Sequence, residues 1–143
     1  MKKSEKAVIA FYDDQGRILL QDRYDITETR ARGYFGGGIE LGETPERALT
    51  REIQEELGFN LEEFEFLNNH KVILPDGKSY NKIWLFIGPL KNNLQKMEQR
   101  EGRSMKLFSL NEARKLIMYK TDIDILKSIE EYIAKKKYPP LCF

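Results

Sequence analysis

Between Gly36 and Phe59 the chain reads GGGIELGETPERALTREIQEELGF, and no other stretch restricts its folding so tightly. Thr44 followed by Pro45 predicts a helix start, because a threonine hydroxyl caps a free backbone N–H and proline is tolerated at the first helical position. Gly58 supplies the stop. Between them Leu49, Ile53 and Leu57 recur every four residues, so a helix of roughly three to four turns buries that stripe. At about 100° per residue Glu52, Glu55 and Glu56 fall on one flank beside it. Like charges so spaced disfavour a helix by a few tenths of a kcal/mol per pair. A solvated face tolerates that cost, with Arg51 and Glu55 pairing one turn apart, and a divalent cation would offset it. Hard cations such as Mg²⁺ bind through one or two carboxylates, water and substrate phosphates, and three consecutive glycines let backbone approach such a ligand closely.

The spacing of the whole stretch decides between those readings. Gly37, Glu43, Arg51, Glu52, Ile53, Glu55, Glu56, Gly58 and Phe59 fill every specified position of a known box: glycine, five residues, glutamate, seven residues, then Arg-Glu-aliphatic-x-Glu-Glu-x-Gly-aliphatic. The chain therefore resembles the Nudix hydrolases of the MutT group. Phe35 stands where that family often has proline, which bears on loop shape and not on any charged position.

The resemblance implies an α/β fold, a mixed β-sheet sandwiched between helices (α/β/α), and hydrolysis of a phosphoanhydride bond in a nucleoside diphosphate linked to a group X. It implies that Glu52, Glu55, Glu56 and the Gly36 carbonyl bind Mg²⁺ or Mn²⁺, with Glu52 or Glu55 as the base that deprotonates water. Arg51 is expected to pair with Glu43 and so orient helix and loop. An acid from a late loop often joins such sites, which makes Glu101 the candidate and Glu98 its rival. Gly37 and Gly38 are expected against the bound substrate. Arg23, Arg30 and Arg32 lie in the polar segment before the glycines, where guanidinium forks suit phosphate oxygens; Arg23 and Arg32 are taken as substrate contacts. Small nucleoside triphosphates are the leading substrates. Nucleotide sugars, dinucleoside polyphosphates and a non-catalytic nucleotide-sensing module are the alternatives.

At 143 residues, one domain over 1–143 is expected, with a core of useful size. The 24 basic and 23 acidic residues nearly cancel, which argues against general adhesion to nucleic acid or anionic membrane but not against a specific small nucleotide. Cys142 is the single cysteine, so neither a disulfide framework nor a zinc-ligand set is expected and a reducing compartment fits. The apolar run Ala7 to Tyr12 is too short for a signal or a membrane span, and the expected location is the cytoplasm. A homodimer is left open.

Elsewhere the pattern predicts a hairpin from Ala7–Tyr12 and Arg17–Asp22, and a second from Phe64–Leu74 and Tyr80–Leu90 around Pro75-Asp76-Gly77-Lys78. Arg23–Gly33 and Asn92–Gly102 read as loops and Met105–Phe108 as a strand. Ser109, with Glu112 completing a capping box, starts a helix through Met118. Another helix begins at Thr121 or Asp122, with Ile125, Ile129 and Ile133 on one face. His70 is read as structural, and Trp84 as core.

Overall fold

The computed structural model describes residues 2–22, 32–98, 104–116 and 120–137. Its strands are β1 (Lys2–Tyr12), β2 (Ile18–Asp22), β3 (Arg32–Gly33), β4 (Phe35–Gly38), β5 (Glu65–Ile73), β6 (Ser79–Pro89) and β7 (Ser104–Phe108). The helices are α1 (Pro45–Leu57), α2 (Leu110–Leu116) and α3 (Lys120–Lys137), with a 3₁₀ turn at Asn93–Lys96.

All seven strands join one sheet, in the order β3-β2-β1-β6-β5, with β4 on β1 and β7 on β2. The sheet is mixed. β1 runs parallel to β6 along its whole length, from Lys2↔Ser79 to Tyr12↔Pro89, and antiparallel to β2 and β4 on its other side. Side chains alternate across a strand, so each strand serves two layers. Ala7, Ile9 and Phe11 of β1, Leu19 of β2, Phe35 of β4 and Phe86 of β6 pack with Ala48, Leu49, Ile53 and Leu57 of α1. Ala10, Ile18, Leu20, Leu85 and Ile87 pack on the opposite face with Ala113 of α2 and Ile125, Leu126, Ile129 and Ile133 of α3. The expected α/β/α sandwich is thus present, and each fully buried Leu or Ile contributes about 2 kcal/mol of apolar burial.

Both hairpins form, each turn organised by an aspartate. Asp13 accepts the Gln15 and Arg17 N–H groups and Asp76 those of Lys78 and Ser79, while Gly16 and Gly77 supply the left-handed residues. Most strand ends fall within one residue of expectation, and three differences concern how an element is placed. β1 begins at Lys2, because its polar first half gains a backbone partner in β6; Arg32–Gly33, read as loop, pairs with β2; and α3 starts at Lys120. The Ser109 capping box closes in both directions, Glu112 N–H to Ser109 Oγ at 3.1 Å and Ser109 N–H to Glu112 Oε1 at 3.0 Å, and α2 is described to Leu116.

Candidate active site

α1 starts and stops where its sequence dictates. Thr44 Oγ1 accepts the Arg47 N–H at 3.2 Å, and Gly58, left-handed at φ 59°, donates its N–H to Gln54 O. Leu49, Ile53 and Leu57 lie wholly in the core. Burying that stripe leaves the acidic flank along β4.

Each glycine of β4 meets this flank differently. Gly36 donates its N–H to Oε1 of Glu56 at 3.0 Å, and that glutamate is only 6 % exposed. Gly37 pairs with Ala7 and faces α1, where a Cβ would fall 2.5 to 2.7 Å from the Glu52 carboxylate atoms. The missing side chain at Gly37 is the space Glu52 occupies. A Cβ at Gly38 would meet nothing within 4 Å, and the Gly38 carbonyl accepts Arg51 Nη2 at 2.9 Å.

Arg51 gathers the acids. Its Nε and Nη2 form a two-pronged bridge to Glu43 at 2.8 and 2.9 Å, and Nη1 reaches Glu52 at 3.0 Å, Glu55 at 3.4 Å and Glu40 at 3.7 Å. The planar fork suits such bridging, and the expected Arg51–Glu43 pair ties the helix to the loop before it. Hydrogen bonds from Arg51 and from the Glu40 N–H hold the Glu43 carboxyl down to about 2, while Glu43 raises the guanidinium above its ordinary value. One guanidinium among four carboxylates leaves a surplus of three negative charges, before Glu56 is counted. That surplus attracts cations.

Among the described residues no group of three or more His, Cys, Asp or Glu side chains is placed to hold a metal ion as the side chains stand: Glu52 and Glu55 turn toward Arg51, and Glu56 toward Gly36. The donors nevertheless suit a hard cation: carboxylate oxygens on one helix flank, over a glycine strand whose missing Cβ makes room for one of them.

Arg32 belongs to β3 beside Asp22 of β2, while Arg23, Arg30 and Glu101 lie outside the described residues. Glu98 donates its backbone N–H to Leu57 O at 2.7 Å, at the end of α1. His70 stands apart, on the sheet face that carries α3, with Nε2 3.5 Å from Ser128 Oγ; burial lowers its pKa. Trp84 packs against the α1-side core with Lys82 Nζ 4.4 Å from its ring centre, as a core reading expected. Three contacts went unread in the sequence: the Gly38 carbonyl to Arg51, Glu56 on the Gly36 N–H, and Glu52 in the space at Gly37. The position of Glu56, three residues after Ile53 and one before Leu57 of the buried stripe, was the available signal for its burial.

Comparison with known proteins decides the family, because the NUDIX domain profile matches residues 2–129. The chain belongs to the Nudix family. It is a Nudix hydrolase, an enzyme of phosphoanhydride cleavage, and is 34% identical over 86 residues to the 8-oxo-dGTP diphosphatase of Escherichia coli (strain K12), covering 59% of this chain and 67% of that protein. Solved Nudix structures share the fold. The MutT Nudix hydrolase of Burkholderia pseudomallei superposes with a TM-score of 0.72 at 24% identity, over 90% of this chain and 98% of that one. The Escherichia coli dihydroneopterin triphosphate pyrophosphohydrolase gives 0.73 at 19% identity, over 92% and 95%.

No helix among the described residues is long and apolar enough to cross a membrane.

Proposed function

We propose that this Nudix hydrolase is a Mg²⁺-dependent nucleoside triphosphate pyrophosphohydrolase, acting in the cytoplasm as a single domain over 1–143. The observation that carries the reading is the set of carboxylates gathered on β4: Glu52 in the space of the missing Gly37 side chain, Glu56 on the Gly36 N–H, and Glu55 one turn from Arg51. The similarity to an 8-oxo-dGTP diphosphatase supports a nucleoside triphosphate over other phosphoanhydrides.

Glu52, Glu55, Glu56 and the Gly36 carbonyl would hold Mg²⁺, and the same oxygens suit Mn²⁺. When bound, the ion neutralises phosphate oxygens and lowers the pKa of a water molecule. Arg51 fixes Glu52 and Glu55 through its bridge to Glu43, so it sets where the acids stand. Glu52, Glu55 or Glu101 accepts the proton of the attacking water, whose oxygen bonds to phosphorus as the anhydride P–O bond breaks. Arg23 and Arg32, with the backbone at Gly38, bind phosphate oxygens and orient the chain for attack, while Gly37, expected against substrate, instead makes room for Glu52.

Release of phosphate and pyrophosphate from a nucleotide panel, with and without Mg²⁺, tests this. Metal-dependent turnover of triphosphates that is lost in the Glu55→Gln, Glu56→Gln double variant is expected. Turnover of nucleotide sugars or dinucleoside polyphosphates in preference to triphosphates would refute the substrate assignment, and absence of turnover on the whole panel by folded protein would refute the assigned reaction.

A further inference from the structure

A groove of about 600 Å³ runs beside the acidic cluster, between the first half of β1 and the loop that joins β4 to α1. Lys3, Glu5 and Lys6 of β1 line it together with Gly38, Glu40 and Glu43. Its size is that of a small-molecule site. Two observations give it a chemical preference. First, Lys6 and Gly38 are direct partners across the antiparallel β1–β4 pair, so their Cα atoms are about 5 Å apart, and the space where Gly38 would carry a side chain is open. Second, Lys3 is engaged by Glu5 at 2.9 Å, whereas Lys6 is exposed and has no ion pair among the described residues. An unpaired ammonium on a flexible four-carbon stem therefore borders room that a glycine leaves free.

We propose that this groove receives the phosphate tail of the substrate beyond the bond that is cut, with Lys6 as its anion contact. The inference rests on the triphosphate reading above and deepens it. Gly36, at the carboxylates, and Gly38, at Lys6, are two strand residues or roughly 7 Å apart, a span within reach of a triphosphate chain. A compact, strongly hydrated ammonium is suited to a charged phosphate and gains little from a neutral group, so Lys6 selects a triphosphate over a diphosphate whose second substituent is an uncharged sugar.

Steady-state kinetics of wild type, Lys6→Met, Lys6→Arg and, as an exposed lysine on α2, Lys115→Met test the assignment, with matched thermal melts to verify folding. Lys6→Met is expected to raise KM for a nucleoside triphosphate about tenfold with kcat within twofold. It should leave KM for a nucleotide sugar unchanged; Lys6→Arg should restore most of the loss, and Lys115→Met should match wild type. Equal KM for triphosphate in Lys6→Met and wild type would overturn the proposal. If wild type cleaves no nucleotide, the catalytic reading fails separately, and calorimetric binding of inorganic tripolyphosphate then decides this one. A roughly tenfold weaker Kd in Lys6→Met supports the groove as a polyphosphate site, and an unchanged Kd overturns it.

Discussion

Alanine placed in turn at Gly36, Gly37 and Gly38 should give three different phenotypes, although the three residues are adjacent. At Gly37 the new methyl would sit 2.5 Å from Glu52 Cδ and 2.6 to 2.7 Å from its oxygens, well inside contact distance. What must move is the end of a flexible side chain, not backbone. Overpacking of a rigid interior costs about 1–3 kcal/mol, so a clash relieved by swinging one carboxylate should fall at the bottom of that range, near 1 kcal/mol. For a chain of this size that lowers Tm by about 3 °C. The displaced carboxylate is a proposed metal ligand, and misplacing a reacting group by about 1 Å costs on the order of 10²-fold in rate. Gly37→Ala should therefore fold, melt slightly early, and lose about two orders of magnitude of kcat/KM, with more Mg²⁺ needed for half-maximal rate. Gly36 differs because its φ is 137° and its Cβ would strike the Ala7 carbonyl oxygen and Val8 Cα, which are backbone. Gly36→Ala should lose several kcal/mol and fail to accumulate as folded protein. Gly38→Ala meets open space and should melt within about 1 °C of wild type. Circular dichroism melts of the three variants, paired with Mg²⁺ titrations of activity, check the set. Wild-type activity in Gly37→Ala would refute the argument that Glu52 is placed by that glycine for catalysis, and equal melting of Gly36→Ala and Gly38→Ala would refute the steric account.

Other substitutions follow from single contacts. Arg51→Lys keeps a charge but loses the fork that spans Glu43 and the Gly38 carbonyl, and should raise the Mg²⁺ concentration for half-maximal activity about tenfold in a metal titration. Because folding holds the Glu43 carboxyl near 2, below its ordinary value, its contribution is present above about pH 5 and is lost as pH falls towards 2; Arg51→Met should flatten that part of the pH dependence of thermal melting. Thr44→Ala removes the cap on α1 and should cost about 1 kcal/mol in urea titration. Ile53→Ala empties a fully buried site between α1 and the sheet and should cost about 2–5 kcal/mol by the same assay.

The parts of the fold legible in the sequence are those fixed by local chemistry. Thr44, Pro45 and Gly58 delimit α1 within its own 15 residues, and Asp13, Gly16, Asp76 and Gly77 mark turns that bond their own neighbours. The parallel pairing of β1 with β6 is of another kind, since it joins residues more than 70 positions apart and its first half, Lys2 to Lys6, has no apolar alternation to announce it. The bulge between Phe66 and Asn68 was equally hidden: it shifts the β5 register by one residue, and only the pairing with β6 reveals it. At the site, the spacing of the box located the glutamates but not the reason for each glycine. Gly37 reads from sequence as room for a ligand, and in the structure that room is filled by Glu52 of the same chain.

Mn²⁺ titration followed by electron paramagnetic resonance distinguishes free from bound ion, and so tests most directly whether the carboxylates of α1 form a metal site. The account predicts saturable binding in wild type, weakened at least tenfold in each of Glu52→Gln, Glu55→Gln and Glu56→Gln, with each variant folded by circular dichroism. Binding of wild-type strength in all three folded variants would contradict it.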